Sequence, residues 1–453
     1  LGLVADHLQS RQAAAFDDSV AVVGRLQTTH LADRALQCAI EADLLVAEGL
    51  EQFQHGTLQA SGNPAATDRS EVVHGALADP PAAAGEQAGL ECDRAPADQP
   101  QVVDGAVEPA GNAAEVEYAG DLRQVELQSD ADPDIATYGE RDDAMRFADE
   151  LAERRGLSAL WVRAALSRAR YLPNVARYIM PPPTGTAKNW AAYRARFVEP
   201  TRIRAGAEFW RANEQWLALA EQTFGVPPEI VVGIVGIETL YGQQMGNFRV
   251  IDALATLAFD FPAGRKDRGS FFRDELENFF VLCNSEGTGP LELMGSYAGA
   301  FGMAQFMPSS FNKYAVDLDG DGHVDLLGSP ADVIGSVAHY LAEFGWKRGL
   351  PTRYDVVPPD DPAERALLLA PDILPQFSAA EFSAHGARLS DAGLASDSLL
   401  ALVELQNGDA APSYVAGTTN FYAITRYNWS SYYALAVIEL GEAVARERAT
   451  ATR

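Results

Sequence analysis

The sequence predicts a mainly α-helical protein with a small β-containing insertion, preceded by an acidic segment of disordered character. Three observations predict it. The composition changes sharply near residue 140. Apolar residues recur at helical spacing over most of 141–350 and 419–453. The stretch 351–418 breaks that period with Pro, Asp and Ala and holds the strand-like runs.

The chain has 453 residues, 47% hydrophobic and 22% charged, enough for a buried core. At about 150 residues per domain it is long enough for about three domains. Acidic residues number 63 against 35 Lys and Arg, a formal charge of −28. That balance argues against a general nucleic-acid binder and against a basic surface for anionic lipid. The longest aliphatic stretch, 230–237, is far short of the roughly 20 apolar residues of a membrane span. Cys38, Cys92 and Cys283 make neither a disulfide framework nor a Cys-rich zinc site, and leave the redox compartment open.

Residues 1–140 contain no Lys, Trp or Met, and carry 25 acidic residues against six arginines. Few aromatics and high negative charge cannot bury enough apolar surface to offset chain entropy. Short helical pieces are expected around 31–53, and disorder over 54–140. No basic n-region precedes an apolar stretch, so no secretory signal is legible. The expectation is that 1–140 is not a functional domain and that the natural product starts near Met145 or carries a different leader.

From 141 the elements follow in order. Phe147, Leu151, Leu157, Leu160, Val162 and Leu166 are spaced for a helix pair over 144–170, broken near Gly156. The prolines at 181–183 are a hard break. Helices are expected over 190–197 and 203–224, the second with Phe209, Trp210, Trp216 and Leu219 as its apolar stripe. Pro227 and Pro228 start the next helix. Further helices are expected over 270–283, 309–316, 330–344 and 423–448. Within 351–418, the run 399–405 reads as a strand with a partner at 413–416.

Four segments carry chemistry. The first, PPEIVVGIVGIETLYG at 227–242, is apolar all round apart from Glu229 and Glu238, so it is a core helix. Glu229 lies in the first turn, where a carboxylate suits the helix dipole. Glu238 sits among Ile237, Leu240 and Tyr241. Such surroundings disfavour the charged form and keep a carboxylic acid able to protonate a leaving sugar oxygen. The pattern leaves equally open a structural Glu238 paired with an arginine such as Arg249. The second segment, GSYAGAFGMAQFMPSSF at 295–311, combines small residues with Ser296, Gln305, Phe306 and Met307. Those four suit a sugar face and its hydroxyls, though helix packing explains them as well. The third holds Asp317, Asp319, Asp321, His323 and Asp325, the first nine positions of an EF-hand-like loop. Position 12 is Gly328 where a bidentate Glu belongs, so Ser329 or Asp332 would have to substitute. Calcium of reduced affinity is preferred over a solvated acidic turn. The fourth, NFYAITRYNWSSYY at 420–433, gathers Tyr422, Tyr427, Asn428, Trp429, Tyr432 and Tyr433, an aromatic and amide cluster that core packing also produces.

Taken together, GIVGIETLYG, IDALATLAFDFP, FFRDELENFF, GSYAGAFGMAQFMPSSF, YAVDLDGDGHVDL, IGSVAHYLAEFGW and NFYAITRYN resemble, in order and spacing, the lytic murein transglycosylase B family over about 144–446. The resemblance implies a lysozyme-like catalytic domain and cleavage of the MurNAc–GlcNAc β-1,4 bond of peptidoglycan without water. It implies Glu238 as acid and then base, with no cofactor for catalysis. It implies Ser296, Gln305, Phe306, Met307, Tyr427 and Asn428 along the groove, with Arg268, Phe271 and Tyr340 as weaker carry-overs. A structural calcium on the Asp317 loop and peptidoglycan glycan strands as partner follow from the same likeness. So does a periplasmic or cell-envelope location, with a lipid anchor and partners in wall synthesis or hydrolysis as options. The organisation implied is an acidic segment 1–140, a helical portion 141–226, a catalytic core 227–350, an insertion 351–418 and a closing helix 419–453. Two other functions stay open: a lysozyme-type hydrolase, which would give reducing ends, and a non-catalytic wall-binding scaffold.

Overall fold

The computed structural model describes residues 136–180, 188–264 and 266–451. The expectations for residues up to 135 and for the prolines at 181–183 lie outside the described residues. The boundary at 140 is corrected. Tyr138, in a one-turn 3-10 helix at Tyr138–Glu140, is 1% exposed, and its hydroxyl donates to Asp260. An aromatic ring followed by Arg141, which also pairs with Asp260, anchors the start of the packed unit.

The first helix, α1 (Asp142–Arg155), has Asp142 and Asp143 in its first turn and Arg154 and Arg155 in its last, both signs matched to the dipole. Gly156 ends it at φ 66°. Helix α2 (Ala159–Leu166) starts at the Ser158 cap. A short α3 (Pro173–Tyr178), not read from the sequence, follows. Helix α4 (Trp190–Phe197) has the expected bounds. The helix expected over 203–224 is two, α5 (Pro200–Ala212) and α6 (Glu214–Phe224), because Asn213 leaves helical geometry. The break rotates the stripe: Trp210 and Leu217 are buried, whereas Leu219 is 37% exposed.

Helix α7 (Pro228–Thr239) is buried continuously from Ile230 to Thr239. It packs on α16 (Ser431–Ala451) through glycines. A Cβ at Gly233 would overlap the Val437 carbonyl oxygen, and one at Gly441 the Glu229 carbonyl oxygen. These two helices approach so closely only because both contacts lack side chains. Around them lie α8 (Val250–Phe259), α9 (Gly269–Ser285), α10 (Pro308–Tyr314) and α11 (Pro330–Glu343). A two-residue ladder pairs β1 (Phe248–Arg249) with β2 (Met294–Gly295).

The insertion has its own small core of Tyr354, Leu368, Phe382, Leu389, Leu400, Leu402 and Ala416. Strands β3 (Arg353–Val357), β4 (Arg388–Leu389), β5 (Ala401–Asn407) and β6 (Ala410–Gly417) form an antiparallel sheet in the order β4-β3-β6-β5. The expected pairing is present, with Val403 opposite Val415 and Leu405 opposite Ser413. Helices α12 (Pro362–Leu369), α13 (Ala379–Ala384) and α14 (Asp391–Leu394) lie between the strands. The helix expected over 423–448 is also two. A turn separates α15 (Thr419–Thr425) from α16, and it carries Tyr427, Asn428 and Trp429. No described helix is long and apolar enough to cross a membrane.

Candidate active site

Glu238 lies in the last turn of α7 and is 7% exposed. The helix stops directly after it. Leu240 and Tyr241 both take left-handed φ values, 49° and 57°, which non-glycine residues adopt only when their surroundings enforce it. Two contacts enforce it here. Thr239 donates its hydroxyl to the Met303 carbonyl at 2.9 Å and accepts the Gly242 amide at 3.0 Å. The Tyr241 ring fills the slot left by Gly206 and Gly236 and stacks on Phe209 at 5.3 Å.

Tyr433, in the first turn of α16, donates its hydroxyl to Glu238 Oε1 at 2.6 Å. Burial, and then the Glu238 charge, hold this phenol well above its ordinary value of 10, so it remains a donor. Tyr427 donates to the Ala304 carbonyl at 2.6 Å and is raised by the same two causes in the same order. The Tyr427 and Tyr433 rings stack at 6.4 Å and 11°. Tyr340 donates to the Arg426 carbonyl, and its ring lies 4.9 Å from that of Tyr427. Burial is the main cause raising Tyr340 too. Three segments, α11, the turn after α15 and α16, thus build an aromatic wall around one acid. Sequence reasoning listed Tyr433 within a cluster but gave it no role. The only signal was its place in that cluster, since nothing in a linear sequence relates it to a carboxylate 195 residues away.

The other expected site residues divide. Ser296 is half-buried and accepts the Ala300 amide at 3.1 Å, closing a tight turn. That turn lies against the segment after α7, because a Cβ at Gly246 would overlap the Gly295 carbonyl oxygen. Gln305 holds a left-handed φ of 49°. Its Nε2 donates to the Met245 carbonyl at 3.1 Å and the Gly302 carbonyl at 2.9 Å, joining the 301–307 loop to the turn after Glu238. Phe306 is corrected: it is 2% exposed, packs on Tyr340 and Tyr427, and is the floor under the wall, not its surface. Van der Waals demand of the two tyrosine rings takes it inward. Met307 is half-buried where α10 starts, and Asn428 is half-exposed beside Tyr427. Arg268 stands 4.4 Å from the ring centre of Phe271, which is 37% exposed at the start of α9.

The nearby motif carboxylates are engaged elsewhere. Asp252 receives Arg249 at 2.7 and 2.8 Å and the Arg170 amide at 2.9 Å. Asp260 holds Tyr138 and Arg141. Glu275 accepts both the amide and the hydroxyl of Ser309, at 2.9 and 2.6 Å. Each of these carboxylates is structural. A cleft of about 740 Å³ opens at the other end of α7, lined by Glu229, Trp346, Arg353 and Tyr354 but not by Glu238. Cavity size alone does not mark a proton donor.

In the acidic loop, oxygens of Asp317, Asp319 and Asp321 lie within 4.8 Å of one another. Asp317 accepts the amides of Gly320, Asp321 and Gly322, and these hold its carboxyl below its ordinary value. Neither the Asp325 carboxylate nor the His323 ring belongs to that group among the described residues. Asp325 accepts the amides of Leu327 and Gly328, and Asp321 accepts the His323 amide. A side chain at Gly328 would strike Asp325. Asp332 is 1% exposed and accepts the Leu318 and Asp325 amides, bracing the loop from within. Ser329 donates to Asp319 at 3.2 Å. Three convergent carboxylates fit a hard dication, and the cage is open on its last side.

Comparisons with known proteins agree with this geometry. The family model described as the transglycosylase SLT domain matches residues 139–442. The membrane-bound lytic murein transglycosylase B of Escherichia coli (strain K12) is 39% identical over 325 residues, 69% of this chain and 85% of that protein. The soluble lytic transglycosylase SltB1 of Pseudomonas aeruginosa superposes with a TM-score of 0.62 at 39% identity, over 68% of this chain and 99% of that one. The Escherichia coli lytic transglycosylase Slt35 in complex with calcium gives 0.60 at 38% identity, over 69% and 95%. With the match spanning the acid, its aromatic wall and the acidic loop, the chain belongs to the transglycosylase SLT domain family.

Proposed function

We propose that this protein is a peptidoglycan lytic transglycosylase that cleaves the MurNAc–GlcNAc β-1,4 bond and leaves 1,6-anhydro-muramoyl ends. The observation that carries the reading is one buried acid, Glu238, hydrogen-bonded to Tyr433 inside an aromatic wall. Glu238 gives its proton to the glycosidic oxygen as the C1–O bond breaks, and the substrate acetamido group supports the charge at C1. The C6 hydroxyl then attacks C1, and its proton returns to Glu238. Atoms balance without water, and one carboxyl performs both transfers. Tyr433 stabilises the carboxylate formed between the two steps and fixes its orientation. Ser296, Gln305, Met307, Tyr427 and Asn428 line the substrate side. In a two-carboxylate hydrolase a second acid would hold water opposite the sugar; the engagement of Asp252, Asp260 and Glu275 favours the one-acid scheme.

The test is mass analysis of fragments released from purified sacculi. Anhydro ends are expected; reducing ends from wild type would turn the reading to a lysozyme-type hydrolase. Glu238→Gln is expected to abolish turnover while sacculus binding persists, and unchanged turnover would reject Glu238. Peptidoglycan strands are the proposed partner and the cell envelope the proposed location, in keeping with the membrane-bound relative. Calcium at Asp317, Asp319 and Asp321 is proposed as structural, brought by the calcium-bound relative and by the convergence of three carboxylates. It would hold the loop between α10 and α11 and take no part in proton transfer.

A further inference from the structure

The turn between α15 and α16 carries a cation that the one-acid scheme leaves without a role. The Arg426 guanidinium stands 4.8 Å from the ring centre of Trp429, 5.2 Å from Phe344 and 5.9 Å from Tyr422. Rings cover the faces of a guanidinium but cannot accept its in-plane N–H groups. The side-chain hydrogen bond it makes is a 3.4 Å contact to the Tyr422 hydroxyl, and no carboxylate pairs with it among the described residues. In a chain with 63 acidic residues against 35 basic ones, a half-buried arginine without an acid is an opening for an outside anion. Two more donors belong to the same turn. The Trp429 indole N–H is buried with no acceptor, and the Asn428 carboxamide makes no hydrogen bond among the described residues. A buried donor without a partner is costly, and an incoming oxygen would relieve that cost. All three flank Tyr427, whose ring stacks on the tyrosine that holds Glu238.

We propose that Arg426, with the Trp429 indole N–H and the Asn428 carboxamide, forms a carboxylate-binding subsite beside Glu238. It rests on the transglycosylase reading and deepens it: the subsite takes a carboxylate of the muramoyl unit. Two sources share that chemistry, the lactyl carboxylate of a stem-free strand and a carboxylate of the attached peptide. A planar fork stacked on aromatic rings suits bidentate recognition of either.

The experiment compares wild type with Arg426→Gln and Trp429→Phe on three soluble glycan substrates. One bears peptides, one is stem-free with its lactyl carboxylate, and one is stem-free with that group capped as a methyl amide. Loss of one charge-assisted contact is expected to raise KM about tenfold or more with kcat retained, only where the recognised carboxylate is present. A rise on the stem-free carboxylate substrate alone assigns the lactyl group; a rise on the peptide-bearing substrate alone assigns the peptide. A rise on all three substrates, or on none, overturns the subsite. Trp429→Phe removes the indole N–H together with part of the ring while keeping an aromatic face beside Arg426, so the capped substrate is its control for lost packing, and it still decides the matter where Arg426→Gln does not fold. Failure here is distinguishable from failure of the function: wild-type release of anhydro ends from the capped substrate tests the reaction alone.

Discussion

Replacing Tyr433 by Phe removes a single oxygen, the one that donates to Glu238 at 2.6 Å. The ring keeps its stacking with Tyr427 and its place in the core, so the fold is expected to hold. A hydrogen bond to a charged group contributes about 1.5–3 kcal/mol. The carboxylate that exists between the two proton transfers depends on this bond, so the barrier should rise by a similar amount and kcat fall about ten- to a hundredfold. Loss of a donor that favours the ionised form also moves the alkaline limb of the rate profile, where Glu238 loses the proton it must give, to higher pH. The assay is release of anhydro-ended fragments from sacculi across pH 4–8, with melting measured alongside. Tyr433 itself stays protonated across this range, because burial and the Glu238 charge both hold its proton. A kcat within twofold of wild type, with an unmoved limb, would refute the role of this hydroxyl.

Other consequences follow from the packing. Gly233→Ala drives a methyl into the Val437 carbonyl oxygen, and overpacking of this kind costs about 1–3 kcal/mol; melting should fall, and an unchanged midpoint would show that α7 and α16 are free to separate. Burial raises the Glu277 carboxyl, but hydrogen bonds from Arg154 and Arg155 outweigh it and hold the group below its ordinary value of 4.5. Its folded value is depressed, so its stabilisation is present above about that pH and lost as pH falls below it. Glu277→Gln should therefore lower stability at pH 7 by up to about 1 kcal/mol and by less at pH 3, the arginines being half-exposed; an equal loss at both would point to packing alone. Millimolar calcium should raise the melting midpoint, and Asp319→Asn should abolish that rise; no shift in wild type would dismiss the metal site.

Legibility varied with the range of the forces involved. Helix starts such as Pro228 and stops such as Gly156 were readable because they act on their own backbone. The β5–β6 hairpin was readable for a related reason, its two strands being joined by a short turn after Asn407. The breaks at Asn213 and at 426–430 were not, because the local pattern there continues in apolar or aromatic residues. At 426–430 the chain leaves the helix to place Tyr427 against Ala304 and Tyr433 against Glu238. Leu240 and Tyr241 gave no warning of left-handed backbone, since the demand comes from Gly206, Gly236 and Met303.

By itself the sequence determined that a core helix with one interior acid lies within 227–242. It also determined that the acidic loop lacks a twelfth ligand and that the ordered motifs match one family. Only the tertiary structure decided which groups meet that acid, that Phe306 is floor and not groove, that Asp325 does not belong to the carboxylate group, and that Arg426 stands among rings without an acid. Periodicity and capping are short-range effects written along the chain. A hydrogen bond across 195 residues depends on how closely two helices pack, which is set by the summed contacts of the whole core.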